Sequence, residues 1–387
     1  MMAMFTRRLS LPDRSFFLFG PRSTGKTTWL REVLGGARWY NLLQESETVR
    51  LLRDPGLLSR ESQALAPGSW VVIDEVQRLP NLLDEVHDLL SRYPLRFALT
   101  GSSARKLKRG RANLLAGRAV TRRFFPLVAA EMDFALDVDD LLQFGSLPRI
   151  RLERDPRSKI DLLEAYGETY LTEEIRAEAL VKNLGSFARF LEVAALMNGQ
   201  TTNVSTIARD AGVARPTVQG YFDVLVDTLI ATWLPAFRPR ARIREVAHPK
   251  FYFFDPGVVR SLGRRLHEPL ERAERGPLLE TYVLHELRAY INDSNCGGEL
   301  SYWRTAAGVE VDFVWSRGKR NVAIEVKASE RWRSQEGRAL HAFTEQVPNT
   351  EAWAVYLGDR VLKDGAITVL PLVELLRRLD AGDLIGA

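Results

Sequence analysis

The sequence predicts an α/β protein of several domains: a parallel-sheet core, a helical and winged-helix middle, and an α/β domain at the C-terminus. Three observations predict this fold class. A glycine-rich loop at residues 20–27 joins an apolar run to a helix-like segment, two short helices meet at Gly212, and acids lie on two strand-like segments within residues 310–327. The length of 387 residues exceeds one typical core, so we expect two or more domains.

Composition narrows the class of protein. Hydrophobic residues make up 45% of the chain and charged residues 27%, as in ordinary globular proteins. The apolar runs are far shorter than the ~20 residues of a membrane helix, and the N-terminus lacks the apolar stretch of a secretion signal. Cys296 is the only cysteine, so no intrachain disulfide can form. We therefore expect a cytoplasmic protein with no membrane partner.

The order of segments predicts the domain boundaries. Residues 1–130 alternate strand-like and helix-like segments, the pattern of a parallel sheet with crossover helices. The predicted domains are this core at 1–130, a helical lid or linker at 131–184, a winged-helix-like domain at 185–247 and the C-terminal domain at 248–387. The predicted strands are 16–19, 39–42, 70–74, 96–100, 120–124, 251–255, 301–304, 310–315, 321–326 and 352–356, and the predicted helices include 159–175 and 277–292.

A phosphate-binding loop is the most specific motif. Residues 20–27 match G-x-x-x-x-G-K-[ST] between a strand and a helix, where backbone N–H groups and a helix N-terminus point at an anion. Lys26 would reach the β- and γ-phosphates, and the Thr27 hydroxyl would bind Mg²⁺. The predicted ATP-binding residues are Gly20, Pro21, Arg22, Ser23, Thr24, Gly25, Lys26, Thr27 and Thr28.

A second element suits hydrolysis. The apolar strand Trp70–Asp74 is followed by Glu75, the pattern of a Walker B segment. Asp74 would hold Mg²⁺ by way of water, and Glu75 would act as the general base on the attacking water. The next strand leads to Ser102, our first choice for the residue that senses the γ-phosphate. Thr100 is the second choice, and capping of a turn explains these hydroxyls equally well.

Basic residues cluster after this strand. Arg118 would supply charge to the transition state, in its own subunit or in that of a neighbour within a homo-oligomer. Contact with nucleic acid is the alternative role for Arg118. The block as a whole suits phosphate or nucleic-acid contact as well as it suits a solvated loop. Its members are Arg105, Lys106, Lys108, Arg109, Arg111, Arg118, Arg122 and Arg123.

Taken in order, GPRSTGKTT, WVVIDEVQRLP, LTGSS and LAGR resemble the AAA+-type bacterial and archaeal ATPases with an uncharacterised C-terminal domain, the AAA_14/DUF4143 family. Tyr166, residues 169–171 and residues 174–175 resemble the helix that follows the ATPase core in that family. The resemblance covers nearly the whole chain and implies a P-loop AAA+-like core. The chain departs from the family pattern at Ser23-Thr24, where Gln-Val is more frequent, and at Leu43, where an acid is usual.

The middle of the chain has helix-turn-helix spacing. A short helix that begins near Val204 ends at Gly212, and a second helix follows with Pro216 in its first turn. In a DNA-binding version, Arg215, Thr217 and Gln219 would face the major groove, and residues 238–244 would form a basic wing. A module used for packing or protein contacts is the equal alternative.

The C-terminal segments contain a D…E-x-K pattern. Glu325 and Lys327 share one face of a strand, and Asp312 on the neighbouring strand can join Glu325 around a divalent ion. Lys327 would then activate water or stabilise the phosphorane, and Glu280 would be a fourth acid. This arrangement predicts a restriction-endonuclease-like domain of the PD-(D/E)xK type. Surface ion pairs between strands are the alternative.

These predictions combine into one leading function. We expect an Mg²⁺-dependent ATPase that acts as a switch or motor on nucleic acid, with DNA favoured over RNA. A nucleotide-gated, metal-dependent nuclease is the second reading. A regulatory ATP-binding scaffold with an inactive nuclease-like domain is the third.

Overall fold

The computed structural model describes residues 5–102, 115, 117–169, 183–238 and 248–385. These residues form two compact units. The N-terminal unit comprises the described residues of Arg7–Pro126 together with Asp227–Leu229, and the C-terminal unit comprises the described remainder.

The N-terminal unit is built on a five-stranded sheet in which all strands are parallel, in the order β2-β3-β4-β1-β5. All five predicted strands are confirmed, with bounds shifted by at most one residue. The strands are β1 (Phe16–Phe19), β2 (Arg38–Asn41), β3 (Trp70–Asp74), β4 (Arg96–Gly101) and β5 (Val120–Arg123). The helices are α1 (Lys26–Val33), α2 (Glu45–Arg53), α3 (Leu57–Gln63) and α4 (Leu82–Arg92).

Both faces of this sheet are covered. Phe17 and Phe19 of β1 pack into one hydrophobic cluster, whereas Phe16 and Leu18 pack into another on the opposite face. Strands buried on both faces are continuous apolar runs, which is why FFLF reads as a strand without polar alternation. Because β4 lies between β1 and β3, the segments that leave the carboxyl ends of β1 and β3 flank the end of β4.

The first part of the C-terminal unit is helical. Its helices are α5 (Val138–Phe144), α6 (Pro148–Leu152), α7 (Pro156–Thr169), α8 (Leu184–Leu196), α9 (Val204–Asp210) and α10 (Arg215–Asp227). Asn183 and Asn203 start α8 and α9 by accepting hydrogen bonds from backbone N–H groups of the first turn. The predicted helix at 159–175 is confirmed as far as Thr169, and its remaining residues lie outside the described ranges.

A two-stranded antiparallel sheet follows, made of β6 (Ala231–Leu234) and β7 (Lys250–Phe253). The strand at β7 was predicted, and β6 was not. A six-stranded mixed sheet then has the order β12-β13-β11-β10-β9-β8. Its strands are β8 (Glu299–Arg304), β9 (Glu310–Arg317), β10 (Arg320–Val326), β11 (Thr350–Tyr356), β12 (Leu362–Asp364) and β13 (Ile367–Pro371).

The remaining helices of the C-terminal unit are α11 (Pro256–Leu262), α12 (Arg272–Ser294), α13 (Arg338–Gln346) and α14 (Leu372–Ala381). The antiparallel pairing of β9 with β10 opposes Phe313 to Ile324. Gly318 takes a φ of 62° in the turn between the two strands, a conformation that glycine adopts without strain. None of the helices in the described ranges combines the length and apolarity needed to cross a lipid bilayer.

Candidate functional site

The loop after β1 needs its two glycines for different reasons. Gly25 has a φ of 93°, in the left-handed region. A side-chain carbon on Gly20 would lie only 2.2 Å from the carbonyl oxygen of Phe124. The backbone conformation therefore requires glycine at one position, and packing against the end of β5 requires it at the other.

Lys26 is buried in the loop that it terminates. Its Nζ donates hydrogen bonds to the carbonyl oxygens of Gly20 at 2.6 Å and Pro21 at 2.9 Å. The hydroxyl of Thr24 also donates to the Pro21 carbonyl, at 2.9 Å. The ammonium group thus points into the curve of the loop. Pro21 is buried, Arg22 is half-buried, and Ser23 and Thr28 are exposed.

Arg7, which the sequence reasoning missed, supports this loop from outside. Its guanidinium donates to the carbonyl oxygens of Thr24 and Phe125, both at 2.7 Å, and lies 4.0 Å from the centre of the Phe124 ring. The loop is therefore tied to the chain that leaves β5. A single arginine upstream of a strand carries no local signal for this contact.

The structure brings Thr27 and Asp74 together. The Thr27 hydroxyl donates to Oδ2 of Asp74 at 2.8 Å, across 47 residues of sequence. Asp74 is only 1% exposed. A hydroxyl and a carboxylate are the hard oxygen ligands that Mg²⁺ prefers, so these two residues fit the predicted ion.

Thr100 contacts both acidic residues at the end of β3, the side chain of Asp74 and the backbone of Glu75. Its hydroxyl donates to Oδ1 of Asp74 and accepts the backbone N–H of Glu75 at 3.1 Å. Glu75 itself has a φ of 61°, a strained conformation that is frequent at functional sites. Thr100, the second choice for the sensing residue, therefore holds the side chain of Asp74 and the backbone of Glu75 together.

Gln77 links the general-base candidate to the first-choice sensor. Its Nε2 donates to Oε2 of Glu75 and, at 3.2 Å, to the hydroxyl of Ser102. Ser102 is 7% exposed, so it lies at the end of this chain of hydrogen bonds rather than in open solvent. The sequence reasoning missed Gln77, whose only signal was its position two residues after Glu75.

Arg118 lies away from this group of residues. Its Nη1 is 3.3 Å from Nε2 of His87 on α4, and both side chains are exposed. Arg118 precedes β5, which runs parallel to β1 with Val120 opposite Phe16. It therefore lies at the amino-terminal edge of the sheet, whereas the loop leaves the carboxyl-terminal edge. Arg105, Lys106, Lys108, Arg109 and Arg111 lie outside the described residues.

The predicted recognition helix presents its polar face to solvent. Arg215, Thr217 and Gln219 are exposed on α10, while Val218 and Phe222 are buried. Gly212 has a φ of 64° in the turn between α9 and α10. Of the predicted wing, only Arg238 is described, since residues 239–247 fall outside the described ranges.

The predicted nuclease-like residues meet where β9 and β10 pair. Oδ2 of Asp312 accepts the backbone N–H of Val326 at 2.8 Å. Lys327 donates to Oε1 of Glu325, and Oε2 of Glu325 is buried without a hydrogen-bond partner. The two strands therefore hold all three predicted side chains at one end of the pair.

A lysine that the sequence reasoning missed lies among these acids. Lys250, at the start of β7, is 4% exposed and forms an ion pair with Glu310. Its Nζ also lies 3.7 Å from Oε2 of Glu280 and 3.8 Å from Oδ1 of Asp312. We call Glu280, Glu310, Asp312 and Glu325 the acidic cluster.

Burial favours the protonated form of two acids in the acidic cluster, Glu280 and Glu325. Burial, with the charge of Asp312 added, raises the pKa of Glu280 and of Glu325 above the ordinary carboxyl value. Burial opposes the charged form of Lys250, but the surrounding carboxylates outweigh it and raise the pKa of this lysine. The negative charge is thus balanced by protons and by lysine ammonium groups.

The acidic cluster does not fit a metal ion as it stands. Within the ranges that the structure describes, no three Asp, Glu, His or Cys side chains converge in a way that would hold one. The ammonium of Lys250 lies between Glu280 and Asp312 instead. No chemical step through a metal is therefore derived for these residues.

Three solved structures are similar at a low level. The ORC1 protein of Aeropyrum pernix, in complex with DNA, is 16% identical with a TM-score of 0.28, covering 66% of this chain and 87% of that chain. Can2 from Sulfobacillus thermosulfidooxidans, in complex with cyclic tetra-adenylate, is 10% identical with a TM-score of 0.25, covering 97% and 100%. Protein VC1899 from Vibrio cholerae is 11% identical with a TM-score of 0.23, covering 95% and 96%. TM-scores this low do not establish a shared fold.

Family models match three successive parts of the chain. Residues 12–133 match an AAA domain, AAA_14. Residues 135–268 match a domain of unknown function, DUF8612, and residues 275–375 match another, DUF4143. No curated protein matches the chain. The first match contains the loop of Lys26 and the acids after β3, and the last contains Asp312, Glu325 and Lys327. The chain therefore belongs to the AAA_14/DUF4143 family, in which an AAA domain precedes a DUF4143 domain.

Proposed function

We propose that this protein is an Mg²⁺-dependent ATPase that acts as a switch or motor on nucleic acid. The observation that carries the proposal is the 2.8 Å hydrogen bond between Thr27 and Asp74. It joins the end of the phosphate loop to the end of the acidic strand, which is the pair of residues that holds Mg²⁺ in P-loop NTP hydrolases.

Each side chain has a role in this proposal. Lys26 exchanges its hydrogen bonds with the loop carbonyls for bonds with phosphate oxygens. Thr27 and Asp74 hold Mg²⁺, which neutralises charge on the phosphates. Glu75 accepts a proton from the attacking water. Gln77 donates hydrogen bonds to both Glu75 and Ser102. It therefore fixes the carboxylate of Glu75 and couples the orientation of that carboxylate to the position of Ser102.

Arg118 fits only one of its two predicted catalytic roles. Since it lies at the edge of the sheet opposite the phosphate loop, it is poorly placed to reach a phosphate in its own subunit. We retain it as a residue that would act on the site of a neighbouring copy. Its action would then depend on a homo-oligomer.

The nucleic-acid part of the proposal is supported by α10. Its exposed Arg215, Thr217 and Gln219 stand on a helix whose other face is buried against α8, as in a helix-turn-helix that enters a major groove. DNA remains favoured over RNA, because a helix of this kind reads the major groove of duplex DNA and does not fit that of duplex RNA.

The substitution Lys26→Ala tests the ATPase proposal. Loss of the ammonium removes the main cation facing the phosphates, so we expect ATP binding to disappear in calorimetry and turnover to fall to background. Lys319→Ala, at an exposed position in the β9–β10 turn, removes the same charge elsewhere and should leave both unchanged. Unchanged ATP affinity in Lys26→Ala would reject the proposal.

The effect of nucleic acid on ATP turnover tests the second part of the proposal, the action on nucleic acid. ATP hydrolysis by the wild-type chain is measured alone and with single-stranded or duplex DNA or RNA. Stimulation or inhibition by duplex DNA is expected. If ATP turnover is the same in every mixture, the ATPase proposal stands and nucleic acid is rejected as the partner.

A further inference from the structure

We propose that Lys250 is the resident cation of the acidic cluster and competes with a divalent metal for Glu280 and Asp312, so that the C-terminal domain works without a metal and does not cleave nucleic acid. This inference goes beyond the ATPase proposal and does not depend on nucleotide binding. It assigns a role to a residue that lies outside the D…E-x-K pattern.

The geometry around Lys250 carries the inference. Its ammonium contacts Glu310 and lies within 3.8 Å of both Glu280 and Asp312. A divalent ion bound by Glu280 and Asp312 would need oxygen atoms at about 2.0–2.6 Å. Such an ion would stand beside a buried ammonium group, where like charges repel strongly because little solvent screens them. A metal and Lys250 therefore compete for the same carboxylates.

Other donors also hold three acids of the acidic cluster. The hydroxyl of Tyr252 donates to Oε2 of Glu280 at 2.8 Å, and the backbone N–H of Val326 donates to Oδ2 of Asp312 at 2.8 Å. Lys327 donates to Glu325. The second oxygen of Glu325 is buried without a hydrogen-bond partner. Glu280 and Asp312, the two acids for which a metal would compete with Lys250, are thus each held by a further hydrogen-bond donor.

Lys250 is also fixed from its backbone. It pairs with Leu234 in the β6–β7 sheet and forms a bridge with Thr201. The neighbouring Phe251 and Tyr252 are buried at 1% and 0% exposure. Because the side chain starts from a buried strand, it cannot swing into solvent without disturbing that strand. Lys250 and the acids therefore come from different segments of the chain. Lys250 balances the charge of the acidic cluster only when β7 is in place.

The substitution Lys250→Met tests the inference, because methionine keeps the length of the side chain and removes the charge. All variants also contain Asp74→Asn, which removes the Mg²⁺ site of the N-terminal unit. We expect Mn²⁺ titrated into the Lys250→Met chain to bind at one site, at least ten-fold tighter than to the chain with Lys250. Lys363→Met, an exposed lysine of the same unit, should not gain this binding.

Two further variants decide the outcome. Asp312→Asn added to Lys250→Met should abolish the new Mn²⁺ site. Glu310→Gln, which keeps Lys250, should not create one. A Lys250→Met chain that binds Mn²⁺ no better than its parent would overturn the inference.

Lys250→Met leaves buried carboxylates without a cation, so the variant is expected to melt at a lower temperature, and Mn²⁺ should restore part of the loss. If the Lys250→Met variant does not fold at all, measurements on the chain that keeps Lys250 test the inference instead. No Mn²⁺ binding and no metal-dependent cutting of DNA or RNA support the inference. Mn²⁺ binding to that chain, lost in Asp312→Asn, overturns it. Either result leaves the ATPase proposal, tested by Lys26→Ala, untouched.

Discussion

Thr100 shows how much a single buried side chain contributes to the candidate ATPase site. It is fully buried, and its hydroxyl serves Asp74 and the backbone of Glu75 at once. Removing this hydroxyl would leave Oδ1 of Asp74 without its donor and the N–H of Glu75 without its acceptor, at a cost of about 1–3 kcal/mol for each buried polar group. The orientation of the two acids therefore depends on this residue.

The substitution Thr100→Val tests this role. Valine keeps the shape and removes the hydroxyl, so we expect ATP turnover to fall roughly 10- to 100-fold while ATP affinity changes little. Steady-state kinetics and calorimetry measure the two quantities. Ser102→Ala is the matched control; it should have a smaller effect, because Ser102 acts through Gln77. Wild-type turnover in Thr100→Val would show that the hydroxyl has no positioning role.

At the scale of elements, α10 combines a buried face with an exposed polar face at its N-terminal end. Val218, Tyr221 and Phe222 anchor it, and Phe190 on α8 packs edge-on against Phe222 with ring centres 4.9 Å apart. This packing places Arg215 in solvent. A helix anchored in this way presents its first turn rigidly, as a recognition helix requires.

Arg215→Ala tests whether α10 contacts DNA. If Arg215 pairs with a phosphate, we expect duplex binding to weaken and the slope of log affinity against log salt to fall by about 1. Fluorescence anisotropy at several salt concentrations measures both. Arg360→Ala, an exposed arginine in the connection after β11, serves as the control. An unchanged affinity and slope in Arg215→Ala would favour the alternative, a module used for packing.

At the scale of the whole molecule, each unit has its own core, and the C-terminal core encloses a carboxyl group apart from the acidic cluster. Glu286 on α12 is 5% exposed, and its Oε1 accepts the backbone N–H of Ala129 at 2.7 Å. Burial, with smaller contributions from Glu131 and Asp380, raises the pKa of Glu286 from 4.5 to about 8. The hydrogen bond from the backbone N–H of Ala129 acts in the opposite direction.

The stability of the C-terminal unit should therefore fall as pH rises from about 4.5 to about 8. The folded chain keeps the proton of Glu286 over this interval and the unfolded chain releases it, so unfolding becomes easier with each step in pH. Below the interval both states hold the proton, and above it both have lost it. Glu286→Gln should flatten this dependence and melt higher than the wild type at pH 8.5.

Calorimetry of the full chain at pH 5, 7 and 8.5 measures this effect. Glu345→Gln, at an exposed position on α13, is the control and should follow the wild type. A Glu286→Gln chain whose melting temperature changes with pH as steeply as that of the wild type would contradict the assignment.

Much of the fold was predictable from short segments. The run FFLF, the loop GPRSTGKT and the strand WVVID each carry their signal within a few consecutive residues, because local backbone geometry and continuous burial act over that distance. The strands β6, β12 and β13 were not predicted. They are short, and pairing with neighbouring strands stabilises them more than their own composition does.

The amino-acid sequence alone was enough to predict the loop of Lys26, the acids after β3 and the D…E-x-K pattern, because each depends on spacing within one strand, one turn or two consecutive strands. Which side chains meet in space could be seen only in the folded structure. In the folded chain, Thr27 bonds to Asp74, and Arg7 supports the loop of Lys26. Arg118 lies at the edge of the sheet opposite that loop, and Lys250 lies among the acids of the acidic cluster. The reason is that charge neutralisation and hydrogen bonding in a buried site depend on distances in space, and residues far apart in the chain supply them.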